Sequence, residues 1–380
     1  MGNEAANINL PESYTMVGGD GDHSYAKNSS YQILGCSVGP NTLIAVQNII
    51  EAVELKYHQN PSALEFQVFF NDHIDNDFNT LFTTLPTSRK YFAAGVPGSF
   101  HGRLFPKSTL HFVHSFNAVH WLLKIPKEIV DSKSAAWNKG SIQCTGLVKE
   151  VSEAYSTQFK NDMESFLNAR AQELVPGGLM AIVLSGLPNG VHISETTDGK
   201  LYDFLGSCLA DMAKTVTAEN ITKDKSKAGQ QQSKSEAEEQ HKDLTEAKIR
   251  KTPSVFEESF LNLSRRGLLN EEKVDSFNLP LYFPTSKELQ DIIEINGCFT
   301  IEILDILRNP LRNMKFHPQS GIRQLRAVLE GVIKAHFGNE FVDQIFNHIA
   351  TKFPVNLFAF KGIKQHSKVI LFFLLKRITD

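Results

Sequence analysis

The chain has 380 residues, 41% of them hydrophobic and 21% charged, which suits one large or two ordinary domains and excludes a chain disordered throughout. Lys plus Arg number 39 and Asp plus Glu 42, a net charge of −3 that argues against a dedicated nucleic-acid binder with its basic stripe. No apolar run reaches the roughly 18 residues of a membrane span, MGNEAANINLPES lacks an apolar signal core, and Cys36, Cys144, Cys208 and Cys298 form no CxxC pair. The expectation is a cytoplasmic protein without a membrane or nucleic-acid partner.

In chain order, residues 1–23 are polar and glycine-rich and read as an arm. A helix follows the Gly39-Pro40 turn over Thr42–Lys56, with Leu43, Val46, Ile49, Ile50 and Val53 at helical spacing. Strands are predicted at Glu65–Phe70, ending in Asn71-Asp72, at Leu110–Phe116, and at Leu179–Ser185 after Gly177-Gly178, with a long helix over Val148–Leu174. This alternation predicts an α/β fold with a mostly parallel sheet, closed at an edge by an antiparallel Val369–Lys376. Thr217–Asp243 is dense in Lys, Glu, Gln and Ser, with Ile221 its one large aliphatic, and reads as a solvated linker. Helical periodicity resumes at Ser286–Ile295, Ile322–Ala335 and Glu340–Ala350.

The densest chemical signal is Ile33-Leu34-Gly35-Cys36-Ser37-Val38-Gly39-Pro40-Asn41-Thr42, a G-x-x-x-G turn that opens a helix and lets the backbone approach a ligand. Asp72, at the end of the next strand, stands where a nucleotide ribose is held through its hydroxyls. Together they favour an adenosine-containing ligand, and the spacing is not the G-x-G-x-x-G of a nicotinamide enzyme. Metal and triad readings fail. A calcium loop from Asp20 and Asp22 would need Glu where Tyr31 stands; His111 and His114 lack the H-E-x-x-H frame; Leu184-Ser185-Gly186 is no nucleophile elbow. For His101 and His348, surface or hydrogen-bonded roles are expected.

Several separated motifs, in order, resemble the SABATH family of plant carboxyl methyltransferases, which use S-adenosylmethionine (SAM). They are Gly18-Gly19-Asp20-Gly21 with Ser24-Tyr25-Ala26-Lys27-Asn28-Ser29 and Gln32; Leu34-Gly35-Cys36-Ser37 with Gly39-Pro40-Asn41-Thr42; Phe70-Asn71-Asp72 with Asn76-Asp77-Phe78-Asn79; Gly95-Val96-Pro97-Gly98-Ser99-Phe100; His120-Trp121-Leu122; and Asp275-Ser276-Phe277-Asn278-Leu279-Pro280. Within the family the chain is most similar to methyltransferases of terpenoid or iridoid acids. The resemblance implies a Rossmann-like SAM-dependent methyltransferase fold with a helical cap. It divides the chain into an arm (1–32), a SAM-binding core (33–185), a cap (186–350) with an insert at about 215–266, and C-terminal strands (351–380). It implies a small carboxylic acid substrate and a homodimer. Tyr25, Cys36, Asn41, Asp72, His73, Ser99 and Phe100 match cofactor-contacting positions. Gln32, Asn117, His120 and Trp121 match the acid pocket, and Asn168, Asp275, Phe277 and Asn278 match a Mg²⁺ site of structural or modulatory role.

No catalytic base is expected. A carboxylic acid with pKa near 4 is already ionised at neutral pH, so the protein has only to align oxygen, methyl and sulfur. Gln32, His120 and Trp121 offer N–H donors for one carboxylate oxygen. Three departures from the family pattern bear on this. Asn117 stands where a Tyr is usual, and an insert separates the helix at Asp203–Lys214 from Gly267-Leu268-Leu269. The third is a missing helix and first strand between the equivalents of Gln32 and Leu34, together with the Asp that ends that strand. Two alternatives to acid methylation stay open on the residues: N-methylation of a xanthine-like ring, and an inactive cofactor-binding relative.

Overall fold

The computed structural model describes residues 40–56, 64–146, 148–214, 269, 271–308, 318–353 and 368–379. The polar insert and the arm, with Tyr25, Gln32 and Cys36, lie outside these residues.

The chain opens with α1 (Pro40–Lys56), β1 (Gln67–Asp72), α2 (Phe78–Thr83) and β2 (Phe92–Pro97). Proline fits the first turn of α1 because its missing N–H is one the helix leaves unpaired there. Asp77 caps α2, its carboxylate accepting from the Thr80 N–H at 3.0 Å and the Thr80 hydroxyl at 2.6 Å. β1 and β2 pair in parallel from Gln67 opposite Phe92 to Asp72 opposite Pro97. Their small core consists of the buried Ile50, Phe70, Leu81, Leu85 and Tyr91.

Next come β3 (Leu110–Phe116), α3 (Lys149–Glu173) and β4 (Leu174–Gly186). A helix over 197–214 precedes α5 (Glu271–Asp275), α6 (Ser286–Asn296), β5 (Phe299–Arg308), α7 (Pro318–Phe337), α8 (Asn339–Lys352) and β6 (Val369–Arg377), and we number that helix α4. The second sheet has the order β3-β4-β6-β5, with β3 and β4 parallel and β6 antiparallel to both neighbours. Among the described residues the two sheets share no strand. A single large core surrounds the second sheet, with Phe159, Met163, Leu167, Met180, Ile182, Leu371, Phe373 and Leu375 buried.

Four strands differ from the sequence reading. β4 begins at Leu174, five residues before Leu179, because the Val175–Gly178 stretch is a bulge rather than a terminating turn: Leu110 pairs Leu174, and Phe112 next pairs Leu179. Gly177 sits there at φ +74, a backbone that glycine adopts without strain. β6 lies inside the sheet and not at its edge; the edge beyond it is β5, hidden by its own irregular register between Ile301 and Ile303. β2 escapes a pattern search because Ala93, Ala94 and Gly95 carry little strand signal.

Candidate active site

Parallel strands place their carboxyl ends on one rim, and ligands of open α/β sheets bind there. β1 ends in Asn71 and Asp72. The Asn71 carboxamide donates to the carbonyls of Val96 (2.7 Å) and Gly98 (2.9 Å), and the Gly98 N–H donates to the Asp72 carbonyl at 2.8 Å. The Asp72 carboxylate accepts from the His73 N–H at 2.7 Å. Gly98 turns the chain out of β2 at φ +145, where a Cβ would meet Leu104 at 2.9 Å, so glycine is required. Ser99 and Phe100 follow. The Phe100 ring lies 6.4 Å from His73, 4.5 Å from His101 and 6.0 Å, edge to face, from Phe166 of α3. Asp72, His73, Ser99 and Phe100 therefore converge, while Asn41 sits in the first turn of α1. Burial lowers the His73 pKa against the opposing pull of Asp72 and Asp75.

Asn117 follows β3 and is held at φ +48, a conformation that asparagine tolerates. Its N–H donates to the Val183 carbonyl (2.6 Å), and its Oδ1 accepts from the Ser185 N–H (2.8 Å). The next residues lie against the segment after α5: Leu122 N–H donates to the Pro280 carbonyl, Tyr282 N–H to the His120 carbonyl, and Trp121 bridges Leu281. His120 is buried, with its ring 6.2 Å from Trp121 and 5.5 Å from Phe283. Lys368 Nζ stands 4.1 Å from the Phe283 ring centre and pairs Asp198 at 3.0 Å. Burial, and then the Lys368 charge, press the His120 pKa down to about 3, so the ring is neutral at neutral pH. Among the described residues its Nδ1 has no hydrogen-bond partner.

His101 joins the two halves. Its Nδ1 lies 3.4 Å from the Asp162 carbonyl, it also bonds the Trp121 backbone, and burial lowers its pKa to about 4. The Asp162 carboxylate accepts from the Leu123 N–H at 2.9 Å. The expected hydrogen-bonded role of this histidine is thus met from helix α3 and from the Trp121 loop.

A family model described as SAM dependent carboxyl methyltransferase matches residues 34–228 and 231–378. The chain belongs to the SABATH family of SAM-dependent carboxyl methyltransferases. It is 39% identical to loganic acid O-methyltransferase of Catharanthus roseus across 96% of this chain and 95% of that one. It is 36% identical to farnesoic acid carboxyl-O-methyltransferase of Arabidopsis thaliana across 90% and 93%. A solved structure described as loganic acid methyltransferase with SAH superposes with a TM-score of 0.76 at 38% identity, covering 96% of this chain and 99% of that one. The fold is accordingly the Rossmann-like fold of SAM-dependent methyltransferases, and SAM is the cofactor.

The four residues expected to hold Mg²⁺ do not fit that ion in this methyltransferase. Asn168 is exposed on α3 and accepts from Asn296 at 2.9 Å; it shares no hydrogen bond with the other three. The Asn278 Oδ1 is taken by Asn138 at 2.7 Å and Asp275 Oδ1 accepts from the Gly140 N–H at 3.2 Å, while Phe277 is expected to offer its backbone carbonyl alone. One carboxylate among engaged amides is a poor site for a hard dication that wants free oxygens in an octahedron. Among the described residues no cluster of His, Cys, Asp or Glu could hold a metal, and no helix there is long and apolar enough to cross a membrane.

Sequence reasoning missed Asp162, Arg170, Glu173 and Lys368. The α3 residues read as ordinary polar positions of an amphipathic helix, and only their burial sets them apart.

Proposed function

We propose that this methyltransferase esterifies a small plant acid of the iridoid, terpenoid or hormone-like class. The carrying observation is the buried, neutral His120 beside Trp121, whose backbone is reached by His101, a ring that lies 4.5 Å from Phe100. Bound SAM supplies an activated methyl, which a carboxylate oxygen takes while the S–C electrons stay on sulfur and no proton moves. The residues then have three tasks. Asp72 accepts hydrogen bonds from the ribose hydroxyls, and Phe100 with His73 offers aromatic faces to adenine and the sulfonium. His120 and Trp121 donate N–H groups to one carboxylate oxygen and leave the other toward the methyl, with Gln32 assigned the same task from the sequence. The chain-wide similarity to relatives named for loganic and farnesoic acids supports the acid class. Cys36, Asn41, Tyr25 and Ser99 complete the cofactor set in this reading, and Asn117 shapes the wall between the pockets.

Two substitutions test the assignment. Trp121→Ala should lower acid kcat/KM by about tenfold to a hundredfold, the worth of a charge-assisted hydrogen bond, with little change in binding of S-adenosylhomocysteine (SAH). Asp72→Ala should do the reverse and abolish SAH binding first. Equal losses of both properties in both variants, or turnover of neutral heterocycles in place of acids, would sink it.

A further inference from the structure

The segment from Gly98 to Thr109 carries Ser99 and Phe100 yet belongs to no strand or helix. A chain without secondary structure must find partners elsewhere for its buried backbone groups. Here α3 supplies them. The Arg170 guanidinium donates to the carbonyls of Phe100 (2.9 Å) and Gly102 (2.8 Å). One oxygen of Glu173 accepts from the N–H groups of both Leu104 and Phe105, the latter at 3.0 Å. The two side chains pair with each other at 2.8 Å, and their relative exposures are 4% and 0%. The Arg170 guanidinium also stands 5.4 Å from the ring centre of Phe166, the ring against which Phe100 lies edge-on.

Stability alone does not account for this pair. Two well-packed apolar side chains would often stabilise as well as a buried ion pair. An acid in the last turn of a helix also faces the unfavourable end of the helix dipole. What apolar side chains cannot do is satisfy four backbone groups of an irregular segment and so fix the angle at which its aromatic residue leaves the chain.

We propose that Arg170 and Glu173 are positioning residues for the SAM site, holding the 98–105 segment so that Phe100 presents its ring to the cofactor. The proposal rests on the reading of Ser99 and Phe100 as cofactor contacts. Neither side chain touches the reacting atoms, so both act through Phe100.

The test compares Arg170→Lys, Glu173→Gln and, as a core control on α8, Ile345→Ala, which is fully buried far from the segment in sequence. The measurements are SAH affinity by calorimetry, KM for SAM and for the acid, and melting temperature. Lysine keeps the charge opposite Glu173 but cannot fork to two carbonyls, so SAH affinity and SAM KM should worsen about tenfold or more while acid KM stays within about twofold. Glu173→Gln keeps an oxygen for Leu104 and Phe105 and should lose less. Ile345→Ala should lower the melting temperature with SAH affinity retained. Arg170→Lys binding SAH as the wild type does overturns the proposal, as does an equal affinity loss in Ile345→Ala at matched destabilisation. If Arg170→Lys does not fold, unchanged SAH affinity in Glu173→Gln overturns it. Failure of both to fold beside a folded Ile345→Ala assigns the pair to general stability and overturns it too. A wild-type chain that binds no SAH is a different result, since it refutes the cofactor-contact reading itself.

Discussion

The two sheets of this protein are built to different standards. In the four-stranded sheet Leu371, Phe373 and Leu375 of β6 are fully buried, and β4 has neighbours on both edges. In the two-stranded sheet Phe69 is 41% exposed and Phe92 63% exposed. Parallel strands normally require cover on both faces, and two strands alone are marginal. The weaker sheet nevertheless carries Asp72 and, one turn beyond β2, Ser99 and Phe100. The resemblance implies a first strand in the centre of the sheet, which the sequence reading does not find between Gln32 and Leu34. Among the described residues β1 pairs only with β2 and β3 only with β4. The two-stranded sheet is tied to the main core through contacts such as Phe69 with Phe105 and the segment held by Arg170 and Glu173.

The largest expected effect erases this contrast. A variant carrying a family-like helix and strand after Gln32 would bury four or five more aliphatic side chains at about 1.5–3 kcal/mol each, an amount comparable to the net stability of a whole domain. Its melting temperature, SAH affinity and acid turnover should all exceed those of the unmodified chain. The reason is a conflict of places. If Ser30-Tyr31-Gln32-Ile33-Leu34 substitutes as the central strand, Gln32 sits in the sheet and cannot also reach the substrate carboxylate. Equal SAH binding and turnover in the two chains would refute this account.

Within the chain as it stands, the contrast should appear in matched truncations. Phe373→Ala removes a fully buried ring from the large core and should cost about 3–5 kcal/mol. Phe69→Ala removes a ring already half in water and should cost about 1 kcal/mol or less. Urea unfolding of both variants measures it, and comparable losses would show that the small sheet is packed as tightly as the large one.

How much of this was legible in the sequence depends on range. α3, β3 and β6 show their periodicity within one segment, so their positions could be read directly. β2 and β5 could not: Ala-Ala-Gly carries no pattern, and the break between Ile301 and Ile303 shifts the alternation midway. The grouping of Asp72, His73, Ser99 and Phe100 was legible because each sits in a short motif beside a strand end. Arg170 and Glu173 were not, since an i,i+3 charge pair looks the same on a solvated helix face as in a core. The distinguishing fact is the segment laid over them, which no local pattern encodes.

Acid should strike the junction of the two halves. His101 and His120 have pKa values lowered by burial to about 4 and about 3, against an unfolded value near 6.5. Below pH 6.5 the unfolded chain therefore binds protons that the folded chain refuses. Their contribution is intact above that pH and is lost as pH falls from 6.5 toward 4 and 3, by about 2 kcal/mol for each histidine between pH 7 and pH 5. Melting temperature should fall over that interval, and His101→Gln should flatten the slope. A slope unchanged by the substitution would show that His101 titrates normally.

The smallest effect is expected where the chain is longest. Within the insert at about 215–266, Thr217–Asp243 is dense in Lys, Glu, Gln and Ser and has little with which to form a core. The insert joins α4, described up to residue 214, to α5, which begins at Glu271, and both elements bury their own apolar residues, among them Leu209, Ala213 and Val274. If it acts as a flexible connection, lengthening a loop from about five to about fifty residues costs only about 2 kcal/mol of closure entropy, because that cost grows with the logarithm of length. Deleting Thr215–Arg266 should therefore leave the melting temperature unchanged or slightly raised, with SAH affinity unaffected, since Asp72, Phe100 and Arg170 lie elsewhere in the chain. A fall of many degrees would show that the insert packs against the large core, and the contrast between the two sheets would then need a third structured region.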